Sequence, residues 1–309
     1  MTLAVLGAPV VVVVPDIDAG WEKIQVTWDG WDGSHWDLTV PEQGVFIARG
    51  GVRGLGMPKF QHYRDQSPAV AGSYWRGMFY DSREVFWPLY LFSDESTQAY
   101  IELDRAFWKS LHPEHEGTLT VRIPGSGVRR SLKLRLQDDG NWSPDIDPTF
   151  YGWSSYGVTL QADQPFWEGV KQELPWTSTV PVPFFGGTGV ITISSGRALS
   201  SATITNIGDV EAYPIWKVVG PTDVAGAIIS VDGRAIEVPI LLGVGDYVTI
   251  NTKPTEQTAI KNGTIDVFDQ LGQVNFAPIP AGNTANLALT MSGTGTIEVE
   301  LTPLYLRAW

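Results

Sequence analysis

The chain has 309 residues, 43% of them apolar and 18% charged, which describes a folded protein long enough for two cores and excludes a disordered one. Its formal charge of −13, from 21 basic and 34 acidic residues, argues against gripping duplex DNA through a basic face. Cysteine is absent, which excludes disulfides and thiolate metal sites and fits assembly in a reducing cytoplasm.

Met1 to Val14 is apolar and rich in Val, without a basic leading segment or a small-residue cleavage site. It is expected to be a buried strand, with no export signal and no membrane insertion. Trp28-Asp29-Gly30-Trp31-Asp32-Gly33-Ser34-His35-Trp36-Asp37 is the most unusual local run. Trp28, Trp31 and Trp36 offer faces for stacking on glycan. The preferred reading is a Gly-containing loop between strands, with these rings packed on the core or on a neighbouring subunit. Arg49 to Lys59 is Gly-rich but lacks both the P-loop and the dinucleotide-binding spacing. It is expected to be a flexible loop that can wrap a neighbouring protomer.

A helix is predicted over Asp94 to Leu111, capped by Ser93 or Asp94, with Ala99, Leu103, Ala106, Phe107 and Leu111 forming its apolar stripe. Pro113 ends it. His112-Pro113-Glu114-His115-Glu116 brings imidazoles and carboxylates together, but the break at Pro113 favours a solvated helix-end loop over a metal site. Strands follow at Thr118 to Ile123 and Ser131 to Leu136, joined around Gly125 and Gly127. Arg129, Arg130, Lys133 and Arg135 read as the wet side of a strand rather than a nucleic-acid patch. Asp16-Ile17-Asp18 and Asp145-Ile146-Asp147 lack the remaining ligands of a calcium loop and are expected to be turns.

Composition changes near residue 175: ten of the 13 Trp and all four His precede it. Pro175 to Pro183 is expected to be a semi-extended linker, dividing the chain into domains 1–175 and 176–309. The second part alternates like an all-β domain. Ile228 to Val238 is a hairpin turning at Asp232-Gly233, and strands are predicted at Asp246 to Asn251, Thr264 to Phe268, Leu287 to Met291 and Thr296 to Leu301. Thirty-three Gly and 21 Pro supply the turns, and a sandwich of the jelly-roll kind is expected. Nucleophile-elbow and kinase patterns are missing, so no catalytic residue, cofactor or metal is assigned.

The most informative stretch is Ile204 to Pro221, which reads strand, turn, strand. Asn206, Gly208 and Asp209 make the turn, Tyr213-Pro214 opens the second strand or marks a sheet edge, and Gly220-Pro221 closes it. That pattern resembles the C-terminal domain of siphovirus distal tail proteins. Gly245 to Thr252, then Lys261-Asn262-Gly263, then Pro280-Ala281-Gly282-Asn283-Thr284, resemble family segments in the family's order, although Asn251 stands where an Asp is usual. Glu102 to Val121 and Val158 to Trp167 are similar in kind to the family's first domain. The Trp-rich, Cys-free style resembles minor tail proteins of actinobacterial phages.

The resemblance implies a mainly β protein: an N-terminal β-sandwich-like ring domain with one α-helix, plus a C-terminal galectin-like, jelly-roll β-sandwich. It implies no enzyme but a virion subunit at the tail tip, assembled in the host cytoplasm as a sixfold homo-oligomeric ring. Its partners would be the tail tube protein, the tape measure protein, and tip or hub and receptor-binding proteins. DNA would pass through the lumen without specific binding. The alternatives are a carbohydrate-binding protein that recognises host cell-wall glycan through the C-terminal sandwich, and a glycoside hydrolase with an appended sandwich.

Overall fold

In the computed structural model, residues 23–48, 51–140, 142–144, 146–178, 199 and 202–309 are described. The strand expected at Met1 to Val14 and the turn at Asp16 to Asp18 lie outside them.

Among the described residues, ten strands and two α-helices precede residue 170: β1 Gln25–Asp29, β2 His35–Asp37, β3 Val45–Ile47, β4 Phe60–Ser67, β5 Val70–Tyr80, β6 Arg83–Phe92, α1 Thr97–Lys109, β7 Gly117–Ile123, β8 Val128–Asp138, α2 Pro148–Tyr151, β9 Trp153–Ala162 and β10 Trp167–Glu168. Strands β2-β1-β7-β8-β9-β6-β3 pair in that order, all antiparallel. The Ile47 amide then donates to the Leu38 carbonyl at 2.9 Å, bringing the last strand back beside the end of the first. The sheet is thus a nearly closed barrel, more closed than the open sandwich-like half expected. Its lining comes from strict alternation: Val85, Trp87, Leu89 and Leu91 of β6 point inward and are 0% exposed.

Helix α1 starts later than expected because Ser96, not Ser93 or Asp94, accepts the Ala99 amide at 3.1 Å. Its buried stripe is Tyr100, Phe107 and Leu111 with Leu103 half-buried, while Ala106 is exposed. Two bonds tie it to β9: Tyr156 to Asp104 at 2.6 Å and Tyr100 to Ser154 at 2.7 Å. Burial and the Asp104 bond both push the Tyr156 phenol upward, so it stays a donor. The single turn α2, capped by Asp147, is an additional helix.

The rest of the chain contributes β11 Gln172–Thr177, β12 Ala202–Thr205, β13 Ile215–Val219, β14 Thr222–Val231, β15 Arg234–Val238, β16 Tyr247–Asn251, β17 Thr258–Lys261, β18 Ile265–Asp266, β19 Thr284–Gly293, β20 Thr296–Leu301 and β21 Leu304–Tyr305. Two sheets, β11-β20-β13-β16-β17-β18 and β12-β19-β14-β15, close on a second core. Trp176, Trp216, Val248 and Ile297 from one sheet meet Ile229, Ile236, Leu287 and Leu289 from the other. Asp232 (φ 46°) and Gly233 (φ 82°) give the hairpin its two positive angles.

Two expectations are corrected and a third is sharpened. Pro175 and Trp176 do not belong to a linker; they lie in β11, the edge strand paired with β20, where the missing Pro175 amide is tolerated. Thr264 to Phe268 yields only the two residues of β18 before a tight turn at Phe268–Gln270. Ile204 to Pro221 gives the expected strand, turn and strand as β12 and β13, which belong to different sheets. The second strand begins just after Pro214 and is interior, between β20 and β16, rather than at a sheet edge.

Gly117 packs flush against a core ring: a Cβ there would lie 2.2 Å from two Trp28 ring carbons and 2.9 Å from the Asp29 carbonyl. We expect Gly117→Ala to lower unfolding free energy by about 1–3 kcal/mol, from overpacking alone. Urea denaturation followed by Trp fluorescence measures this, and an unchanged midpoint would refute it.

Candidate functional site

The motif residues gather at the joint between the two cores. Asn206 is 0% exposed and spends its whole amide there: Nδ2 donates to the carbonyls of Val210 (2.8 Å) and Ile279 (2.9 Å), and Oδ1 accepts the Gly208 amide (2.9 Å). Its own amide donates to the Asn283 carbonyl at 3.0 Å, beside Gly282 at φ 68°. Gly208 has no room for a Cβ, which would meet the Leu304 carbonyl at 2.5 Å. The next two amides, of Asp209 and Val210, donate to that same carbonyl at 2.8 and 3.3 Å. Tyr213 is half-buried and Pro214 is buried, its carbonyl accepting from Thr252 Oγ1 at 2.6 Å.

The segment that this turn grips belongs to both halves. In β21, Leu304 and Tyr305 pair with Glu168 and Trp167 of β10, in the first sheet. The chain then runs into the first core, where Ala308 is 0% exposed and its amide donates to Leu55 at 2.9 Å. Arg130 donates to the Arg307 carbonyl at 2.8 Å and lies over the Tyr305 ring at 3.7 Å.

Arg83 completes the joint. It is 2% exposed, and its guanidinium donates to the carbonyls of Pro165 (2.6 Å), Gly54 (2.6 Å), Gly56 (2.5 Å) and Leu306 (2.8 Å). Burial lowers its pKa from the ordinary value to about 10, which leaves it charged at neutral pH. The expectations from sequence omitted it, yet a signal existed: Arg83 shares the inward parity of Val85, Trp87, Leu89 and Leu91.

The remaining motif residues form a second cluster around Asp246. Its carbonyl accepts the Gly220 amide (2.9 Å), its Oδ1 accepts from Asn262 Nδ2 (2.8 Å), and its Oδ2 lies 3.6 Å from Lys261. The Asn262 bond, with the Gly243 amide, holds the carboxyl below its usual range. Asn262 (φ 52°) and Gly263 (φ 76°) make the β17–β18 turn, and Gly220-Pro221 is cis.

Trp28 and Trp36 are spent on the first core, at 1% and 9% exposure, packed edge-on against Trp87 and Phe107. Neither has a face for glycan or for a neighbour. Trp31 remains 41% exposed, its indole donating to the Lys109 carbonyl (2.8 Å) and stacking on His115 at 4.8 Å. Beneath it His112, Glu114 and His115 place ligand-type atoms within 4.8 Å of one another. His112 Nδ1 already accepts the Glu114 amide at 3.0 Å, which sets the proton of the neutral ring on Nε2, the atom a metal would need bare.

A cleft of ≈ 500 Å³ opens beside the joint, between Pro165 and Glu168 on one side and Tyr213, Lys253 and Thr302 on the other. Two of its carboxylates, Glu116 and Asp163, are bonded to Arg135 at 3.2 and 3.1 Å, so neither stands free as an acid or base.

One element projects from the body. β4 and β5 pair only with each other and are exposed along their length. Phe60, Trp75 and Met78 lie on one face, with the Trp75 indole bonded to His62 at 3.0 Å. Tyr63, Tyr74 and Phe79 lie on the other. Tyr80 roots the ribbon against Phe166 at 5.1 Å.

The protein is therefore of the mainly β class, a near-barrel and a sandwich locked by the chain's last strand, with no helix among the described residues long and apolar enough to cross a membrane. It shares this fold with the Dit (gp 19.1) protein of phage SPP1, a protein described as a paradigm of the hub adsorption apparatus in phages infecting Gram-positive bacteria. That alignment has a TM-score of 0.64 at 14% identity and covers 92% of this chain and 100% of that one. Two structures of the phage P2 baseplate in its activated conformation, with calcium and with strontium, align at TM-score 0.56 and 17% and 18% identity, covering 90% of this chain and 98% of theirs. No protein-family model and no curated protein matches the chain.

Replacing Arg83 by Met would leave four carbonyls without their donor. We expect a loss of roughly 3–5 kcal/mol, the usual result of breaking a buried charged network, and faster tryptic cleavage after Arg307. Chemical denaturation with limited trypsinolysis reads both; a loss below about 1 kcal/mol would show the joint held by packing instead.

Proposed function

We propose that this chain is a distal tail ring subunit: a structural virion component at the phage tail tip, without enzymatic activity, linking the tail tube to host-recognition proteins. The carrying observation is the likeness to the SPP1 Dit protein over 92% of this chain and the whole of the other, so that both halves find a counterpart. In this reading the first half forms the sixfold ring, and the sandwich that begins with β11 points outward. The tape measure protein and the genome pass through the lumen, and hub and receptor-binding proteins dock on the sandwich.

The exposed ribbon supports self-assembly. A two-stranded ribbon is marginal by itself in water, and six apolar side chains between 38% and 60% exposed leave it to be covered by another chain. The net charge of −13 suits a channel along which phosphate must slide. Glycan recognition by the sandwich is less well supported. Trp176 and Trp216, its core tryptophans, are at most 1% exposed, and Trp309 belongs to the segment docked on the first half.

Purified protein should form closed rings, seen by negative-stain electron microscopy and by mass photometry as multiples of 33.8 kDa reaching six copies. Replacing residues 60–80 by a short turn should leave folded monomers. A full-length chain that stays monomeric at high concentration would defeat the reading.

A further inference from the structure

The first half has a second concentration of exposed aromatic side chains: Phe150 is 79% exposed, Tyr151 58%, Trp142 40%, with Ile146 at 37%. Trp142, Pro144, Ile146 and Trp153, interleaved with Ser143, Ser154 and Ser155, line a notch of ≈ 110 Å³ of mixed polar and apolar character. The turn that carries Phe150 and Tyr151 is held in place by hydrogen bonds. Thr97 Oγ1 of α1 donates to the Thr149 carbonyl (2.8 Å), the Ser93 amide donates to Gly152 (2.9 Å), and Asp147 caps the turn through Thr149 (2.9 Å).

We propose that the β4–β5 ribbon of one copy docks on the Trp142–Ile146–Phe150–Tyr151 patch of the next, a pairing that rests on the ring reading above. A ring needs a heterologous contact, in which each subunit offers two different, complementary surfaces. The ribbon is the projecting one and the notched patch the receiving one. Their charges agree. Lys59 to Asp81 holds three basic and two acidic residues (3 − 2 = +1) in a chain of −13. Asp138 and Asp147 flank the patch, with no basic residue between 138 and 151. Arg76 pairs within the ribbon with Asp65 (2.5 Å), whereas Arg64 has no ion-pair partner among the described residues and is available to an acidic neighbour. Reach is sufficient too: the 11 residues of β5 extend about 35 Å at ~3.3 Å each, enough to cross a subunit boundary.

The chain has no native cysteine, so the contact can be tested directly on the full-length protein. Trp75→Cys and Phe150→Cys, both exposed, are purified separately, mixed, and treated with a short bis-maleimide. We expect a covalent heterodimer, and with both substitutions in one chain a ladder reaching the ring. Trp75→Cys mixed with Val244→Cys, a 90% exposed position on the other half, should give no such product. In a second arm, the Phe150→Ser and Tyr151→Ser double variant should lose rings while keeping its circular dichroism and melting temperature. Rings that form without the Trp75–Phe150 product, or that survive the double substitution, overturn the docking proposal and leave the ring reading intact. Wild-type protein that forms no ring overturns both.

Discussion

Everything in this architecture turns on a cation placed where the barrel expects an aliphatic residue. Arg83 occupies an inward position of β6 and is 2% exposed, so its charge must be solvated by the protein itself. The solution is four backbone carbonyls drawn from three separate parts of the chain: the loop ahead of the ribbon, the β9–β10 turn and the segment after β21. Carbonyls rather than a carboxylate make this a convergence point. A single Asp would satisfy the charge and fix one element, whereas the planar five-donor guanidinium fixes three at once.

The same logic explains why the motif residues are where they are. Asn206, Gly208 and Asn283 hold a sheet-to-sheet crossing tight enough for the Leu304 carbonyl to enter it. The strand bearing that carbonyl is shared with the barrel, so one backbone ties the sandwich core to the barrel core. The tryptophans divide accordingly. Those on regular inward positions, such as Trp28, Trp87 and Trp216, fill cores, and those in loops or on the ribbon, Trp31, Trp75 and Trp142, remain available.

Much of the second half was legible in the sequence because its strands alternate faithfully and its turns carry residues suited to positive φ. Thr296–Leu301 and the Asp232-Gly233 hairpin were placed as they are found. The strand, turn and strand at 204–221 were legible too, but turn chemistry does not report that the second strand joins a different sheet from the first. The ribbon was missed for a different reason. Its aromatic residues fall on both parities, since neither face is buried by its own chain, and periodicity therefore gives no signal. Pro175 suggested a linker, yet an edge strand accepts proline as readily. For the joint, parity alone could have singled out Arg83, but its partners lie up to 223 positions away and no local pattern reveals them.

The shared strand also orders events during biosynthesis. The barrel's β10 and the Arg83 fork lack their final partner until residues 304–308 leave the ribosome, after the entire sandwich has been translated. A nascent first half therefore carries an open seam at Gly54, Pro165 and Trp167 while it is still tethered.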